Sequence, residues 1–265
     1  MEKMKKRRLL KVLLPLVSAL LLWPLGASGQ TVRGDCNYDG EFNITDLTTL
    51  INYLLDNNWN DVPKDLERDT VYVKSEMIVM VHVEGGTLVR DDGGMYAVNS
   101  FWICETEVTR ELWASLMGGV PNNQHIAVSN LTWNQCQAFI DTLNAYTGRE
   151  FRLPSCTEWE FAARGGNRGA GYTYCGGNDL DVVGWYKGNC EKCMPVGLLK
   201  CNELGLYDMS GNVSELCQDA ANASGTMRYY CGGRYYHTAA ENTPSARGSV
   251  NVNTTFNGAG CRLAM

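Results

Sequence analysis

Apolar residues first crowd together in one unbroken run, Leu9 to Leu25, directly after Lys3, Lys5, Lys6, Arg7 and Arg8. A basic start, an apolar stretch and the small residues Ala27-Ser28-Gly29 predict a secretory signal, residues 1–29, cut before Gln30. Downstream the pattern changes period. Val71-Tyr72-Val73 and Met77-Ile78-Val79-Met80-Val81 read as strands. Thr109 to Met117 predicts a helix. Thr132 to Thr147 predicts another, opening on a Thr cap, with Cys136, Phe139, Ile140 and Leu143 at helical spacing. After Arg152 the chain turns to Gly, Asn, Tyr and Ser, which predicts long ordered loops on a small framework of sheet.

Composition narrows the class. Without residues 1–29 the chain carries 17 basic against 28 acidic side chains, a net charge of −11. Such a surface repels phosphate backbones, so no nucleic-acid partner is expected, while divalent cations are favoured. After cleavage no segment is left to insert in a membrane, and the expected location is exported: periplasm, cell surface or medium. Eleven Cys is an odd count, and export permits disulfides. Cys190 and Cys193, with Cys201, have part of a zinc-ligand spacing; a local disulfide or buried thiols are the plainer reading.

Residues 33–58 form a short acidic module, and 59–70 read as a polar linker to a large domain, 71–265. Within the module, Asp35, Asn37, Asp39, Asn43 and Asp46 place oxygen side chains at positions 1, 3, 5, 9 and 12 of a loop. Gly40 stands at the sharp turn of position 6, and the backbone carbonyl of Glu41 completes an oxygen shell of calcium size. The segment, with its Asn-Ile-Thr-Asp-Leu run, resembles a dockerin repeat. Dockerins carry two such repeats and this chain has one, so cohesin binding is not expected and a calcium-stapled spacer is.

Four blocks carry a second resemblance. They are Phe101-Trp102-Ile103-Cys104-Glu105-Thr106-Glu107-Val108-Thr109, Phe151 to Gly166 (FRLPSCTEWEFAARGG), Asn202 to Glu215 (NELGLYDMSGNVSE), and Gly232-Gly233 with Gly260-Cys261-Arg262-Leu263-Ala264. In this order they are similar to the formylglycine-generating enzyme (sulfatase-modifying factor) family, a variant of the C-type lectin fold. The resemblance implies an α+β domain with a small antiparallel sheet, two helices and long ordered loops. It also implies a calcium site, with Asp208 and Glu215 giving carboxylates and Gly211 and Val213 carbonyls. Within block two, Arg152 and Glu158 read as structural residues around a turn into a helix that Thr157 can cap.

The family's oxidase uses two copper-binding Cys after the Gly-Gly pair. Their positions here hold His237 and Asn242, and soft copper(I) wants thiolates, so no catalytic residue and no copper are assigned. Iron chemistry on this fold draws on several His of an added domain, whereas this chain has only His82, His125 and His237. The replacing segment is rich in Tyr, Asn, Ser, Thr, Gly and Arg, the residues of adaptable binding surfaces. Arg228, Tyr229, Tyr230, Arg234, Tyr235, Tyr236, His237, Asn242, Asn251 and Asn253 are the candidate ligand-binding residues, with Tyr235 at the position of a family tryptophan. The segment also resembles the variable region of retroelement-diversified ligand-binding proteins. The expected function is binding of a protein or glycan at the cell surface; an oxidase acting on a sulfatase cysteine is the second reading.

Overall fold

The computed structural model describes residues 62–265 except 64 and 120–124. The apolar run, the loop 35–46 and residues 59–61 of the linker lie outside the described residues. The chain divides into two compact units, Met1–Asn58 and Trp59–Met265, and the described residues all belong to the second.

Strand β1 (Arg68–Val73) turns at Lys74, whose φ of 55° lies in the left-handed region, and pairs antiparallel with β2 (Glu76–Val83). Strand β5 (Phe101–Cys104) pairs on the other side of β2. Period-two alternation along β2 divides its side chains between two cores. Ile78 and Met80 join Phe139, Ile140 and Leu143, while Val81 and Val83 join Trp159, Leu206 and Met209. Strands β3 (Gly86–Val89) and β4 (Met95–Val98) make a separate hairpin.

Both expected helices form. Thr109 caps α1 (Arg110–Met117), accepting from the Leu112 amide at 3.1 Å. Thr132 caps α2 (Trp133–Thr147) in a reciprocal box with Gln135, and Gly148 ends it in the left-handed conformation. The helix expected after the Arg152 turn forms as well. Ser155, not Thr157, caps α3 (Cys156–Ala163), because Glu158 at the third helical position returns a bond to the Ser155 amide at 2.7 Å. That carboxylate also takes Arg152 through both oxygens, at 2.8 and 2.7 Å, which confirms the structural role of the pair. A single turn, α4 (Leu180–Val183), lies in the long loop region.

The second sheet runs β8–β7–β6–β9: β8 (Arg247–Asn251), β7 (Met227–Cys231), β6 (Ser214–Ala220) and β9 (Ala259–Gly260). The family resemblance implies antiparallel pairing throughout, yet β9 runs parallel to β6. It does so because the last loop returns the chain to the core, where Ala264 bridges both Ile103 and Arg152. Strands β7 and β8, with the loop joining them, hold most of the candidate binding residues.

Candidate functional site

Strand β7 explains why its three candidates do not act together. Alternation sends Tyr229 to the core of Trp159, and Tyr230 to the core of Phe139. Arg228 lies with its guanidinium carbon 4.3 Å from the Trp133 ring and donates to the Gln218 carbonyl at 2.6 Å. Tyr230 lies across the backbone of β8: a Cβ at Gly248 would come 2.5 Å from Tyr230 Cζ, so glycine is required opposite this ring. Its other neighbour is Phe256, with ring centroids 4.7 Å apart.

Phe256 also receives Arg234, a pairing that the polar run around both residues conceals. Arg234 is 4% exposed, so it does not share the exposure expected of the binding patch. Its guanidinium stacks on Phe256 at 4.0 Å, and Nη1 donates to the Asn257 carbonyl and to Tyr236 Oη, each at 2.8 Å. Tyr236 donates to the same carbonyl and is exposed. Tyr235 and His237 flank Tyr236 edge-on, at 4.9 and 5.3 Å between centroids. Tyr235, Tyr236 and His237 therefore form one aromatic row, fastened from below by Arg234 and Phe256.

Burial, then the nearby Arg234 charge, holds the His237 imidazole below its usual range, against the opposing pull of Glu241. Asn242 is fully buried, and so does not belong to the exposed row either. Its Nδ2 donates to the Thr238 carbonyl at 2.7 Å, closing a turn (Ala239–Glu241) that Glu241 caps at Thr238. Gly233, with φ of +69°, leaves room for the Asn242 amide that no side chain would. Asn251 and Asn253 stand apart at the end of β8. There Asn253 accepts from Asn134 at 2.6 Å and its amide donates to Asn251 Oδ1 at 3.0 Å.

Beneath the row lies a buried ion network. Glu215 receives Arg262 Nε on both oxygens at 3.0 and 2.9 Å, Arg262 Nη2 at 2.7 Å and Trp159 Nε1 at 2.5 Å. Glu107 and Asp208 complete three buried carboxylates around one guanidinium. Burial, then the Asp208 charge, pushes the Glu107 carboxyl well above the usual range, and burial raises Asp208 to about 6. Of the two carboxylates that the family resemblance assigns to calcium, only Asp208 keeps an oxygen without a protein partner. Asp208 Oδ1 is buried without a partner, while Oδ2 takes the Gly197 amide at 2.7 Å. Glu215 offers no free oxygen, because Arg262 and Trp159 already occupy its carboxylate.

Cys190 and Cys193 reach the underside of the row, with Cys190 Sγ 3.9 Å from the Tyr235 carbonyl. Cys201 does not join them in a three-ligand group, so the partial zinc spacing is not realised among the described residues. No disulfide forms among those residues.

A sulfatase-modifying factor enzyme 1-like domain matches residues 67–265. The chain belongs to that family. Its relatives include a protein named chaperone protein LppX from Paenibacillus barcinonensis, 29% identical, matched over 52% of this chain and 70% of that protein. The inactive Cα-formylglycine-generating enzyme 2 of Mus musculus is 30% identical, and the match covers 50% of this chain and 46% of that protein. The formylglycine-generating enzyme of Thermomonospora curvata is 29% identical, over 52% of this chain and 47% of its own length. This chain thus spans about half the length of those two formylglycine-generating relatives. Among solved structures, Treponema denticola variable protein 1 aligns with a TM-score of 0.67 and 26% identity, over 74% of this chain and 98% of that one. The sulfatase-modifying factor scaffold expected from the four blocks is therefore the fold of this chain. PvdO of Pseudomonas aeruginosa, at 20% identity and a TM-score of 0.60, shares the fold, covering 74% of this chain and 97% of its own.

Proposed function

We propose that this chain is an exported ligand-binding member of the sulfatase-modifying factor family, recognising a protein or glycan through the row Tyr235-Tyr236-His237. One observation carries the reading. The loop that holds the copper thiols in the resembled oxidase is here held by Asn242 and Arg234, and it carries Tyr236 exposed between the half-buried Tyr235 and His237. Neither an imidazole nor a buried amide replaces a thiolate pair for copper(I). Tyrosine supplies large contact area at low entropic cost, which suits recognition. The likeness to a Treponema protein titled variable supports the same direction. A C-type-lectin-type framework whose segment 227–263 is diversified by a retroelement belongs to the proposal. A near-copy of that coding segment beside a reverse transcriptase gene would establish diversification; its absence would remove that part of the reading.

Calcium belongs to the proposal at the loop 35–46 and, in the large domain, at Asp208. Calorimetry comparing the whole chain with Asp39→Ala reads the first site: one binding event is lost if the loop ligates, and none if it does not. The oxidase reading is tested directly. Copper-loaded protein incubated with a sulfatase-type cysteine peptide leaves the cysteine unchanged in mass; conversion to formylglycine above background overturns the proposal.

A further inference from the structure

Three cysteines that lie far apart in sequence meet at a single point in the second core. Cys156 opens α3, Cys217 lies in β6 and Cys231 ends β7. All three are buried, and their Sγ atoms lie within 4.8 Å of one another. Cys156 and Cys231 are 3.2 Å apart, and Cys217 and Cys231 3.7 Å. We propose that Cys156, Cys217 and Cys231 form a closed three-thiolate site for a soft d10 cation, copper(I).

Coordination number selects the ion. Thiolates about 2.3 Å from a trigonal metal stand about 4 Å apart, within the spread observed here. No fourth His, Cys, Asp or Glu joins the group among the described residues. Structural zinc is almost always four-coordinate, whereas soft thiolate sets also select copper(I). This site is separate from the loop of His237 and Asn242.

Charged side chains lie beside the trio. Glu160 anchors Arg90 at 2.8 Å, Arg164 at 3.0 Å and Arg247 at 3.8 Å, and Asp91 takes Arg164 at 2.9 Å. The backbone of the ligands is pinned as well. Asp219 accepts the Cys156 amide at 2.5 Å, and the Cys217 carbonyl accepts Trp133 Nε1 at 3.0 Å. Ordered outer-shell partners of this kind hold metal ligands in place.

The test uses the full chain, purified and reduced without oxygen, and copper(I) supplied as its acetonitrile complex against bathocuproine disulfonate. One copper(I) per chain is expected, with three sulfur neighbours in its X-ray absorption spectrum. Cys217→Ser and Cys231→Ser should each weaken retention more than about a hundredfold, beyond the loss usual for an outer-shell change. The double variant Cys190→Ala/Cys193→Ala should retain the metal as the parent does. The absorption spectrum of the parent chain decides the matter even if a variant fails to fold. Absence of retained copper(I), fewer than three sulfur neighbours, or loss of the metal from the Cys190/Cys193 variant would each overturn the assignment. So would a preference for zinc with four ligands, or a stable disulfide within the trio that reduction does not convert to a copper-binding form.

Discussion

The guanidinium of Arg234 stacks on Phe256, 4.0 Å from the ring centroid, and joins two loops separated by 22 positions of chain. Because Nη1 also holds the Asn257 carbonyl, the contact fixes the segment after β7 to the segment before β9. The aromatic row rests on this bolt, so its shape depends on a residue that is itself hidden.

Arg234→Ala should therefore cost about 2–4 kcal/mol, from charge-assisted bonds and a desolvated cation–π contact. Tyr236→Ala, at an exposed ring whose hydroxyl accepts from Arg234 and donates to the Asn257 carbonyl, should cost about 1 kcal/mol. Urea unfolding of the two variants measures the contrast. Equal losses would mean that Arg234 is not the fastening residue.

Glu215→Gln removes the carboxylate that pairs with the buried Arg262 guanidinium. Leaving one partner of a buried pair uncompensated costs about 3–5 kcal/mol. The variant should melt well below the parent or fail to accumulate as soluble protein. A melting temperature unchanged within error would show that Glu215 has another principal role, such as holding a cation.

Both helix caps at Thr109 and Thr132 are legible in the sequence because a cap and its helix are neighbours in the chain. The family blocks are legible for a related reason: each contains its own turn, as in the Arg152–Glu158 pair. Arg234 reads as exposed from sequence because its partner, Phe256, sits in an otherwise polar run. Glu215 reads as a calcium ligand, and only the fold brings Arg262 and Trp159 onto both its oxygens. Likewise the thiols at 156, 217 and 231 have no spacing motif; the junction of α3, β6 and β7 creates their cluster. Distance in sequence, rather than weakness of the local signals, hides these contacts.

His237 makes the stability of the fold depend on pH. Its folded-state value lies below the ordinary 6.5, through burial and Arg234, so the unfolded chain takes up the proton first as pH falls. Stability should decline as pH drops through about 6.5 and level off once the folded imidazole also titrates. His237→Gln should flatten that decline. Proton NMR of the ring reads the midpoint directly, and a value at or above 6.5 would contradict the burial of the ring as its cause.

Recognition through the row Tyr235-Tyr236-His237 is the central claim, and the most direct measurement compares ligand retention by the parent chain with that of Tyr236→Ala. Immobilised protein would be presented with glycan arrays and with solubilised surface proteins, and any retained species titrated against both forms. Tyr236→Ala should weaken binding about thirtyfold, the effect of losing an aromatic anchor of about 2 kcal/mol, while the melting temperature stays near that of the parent. Equal affinity of the two forms for the retained ligand would contradict the claim.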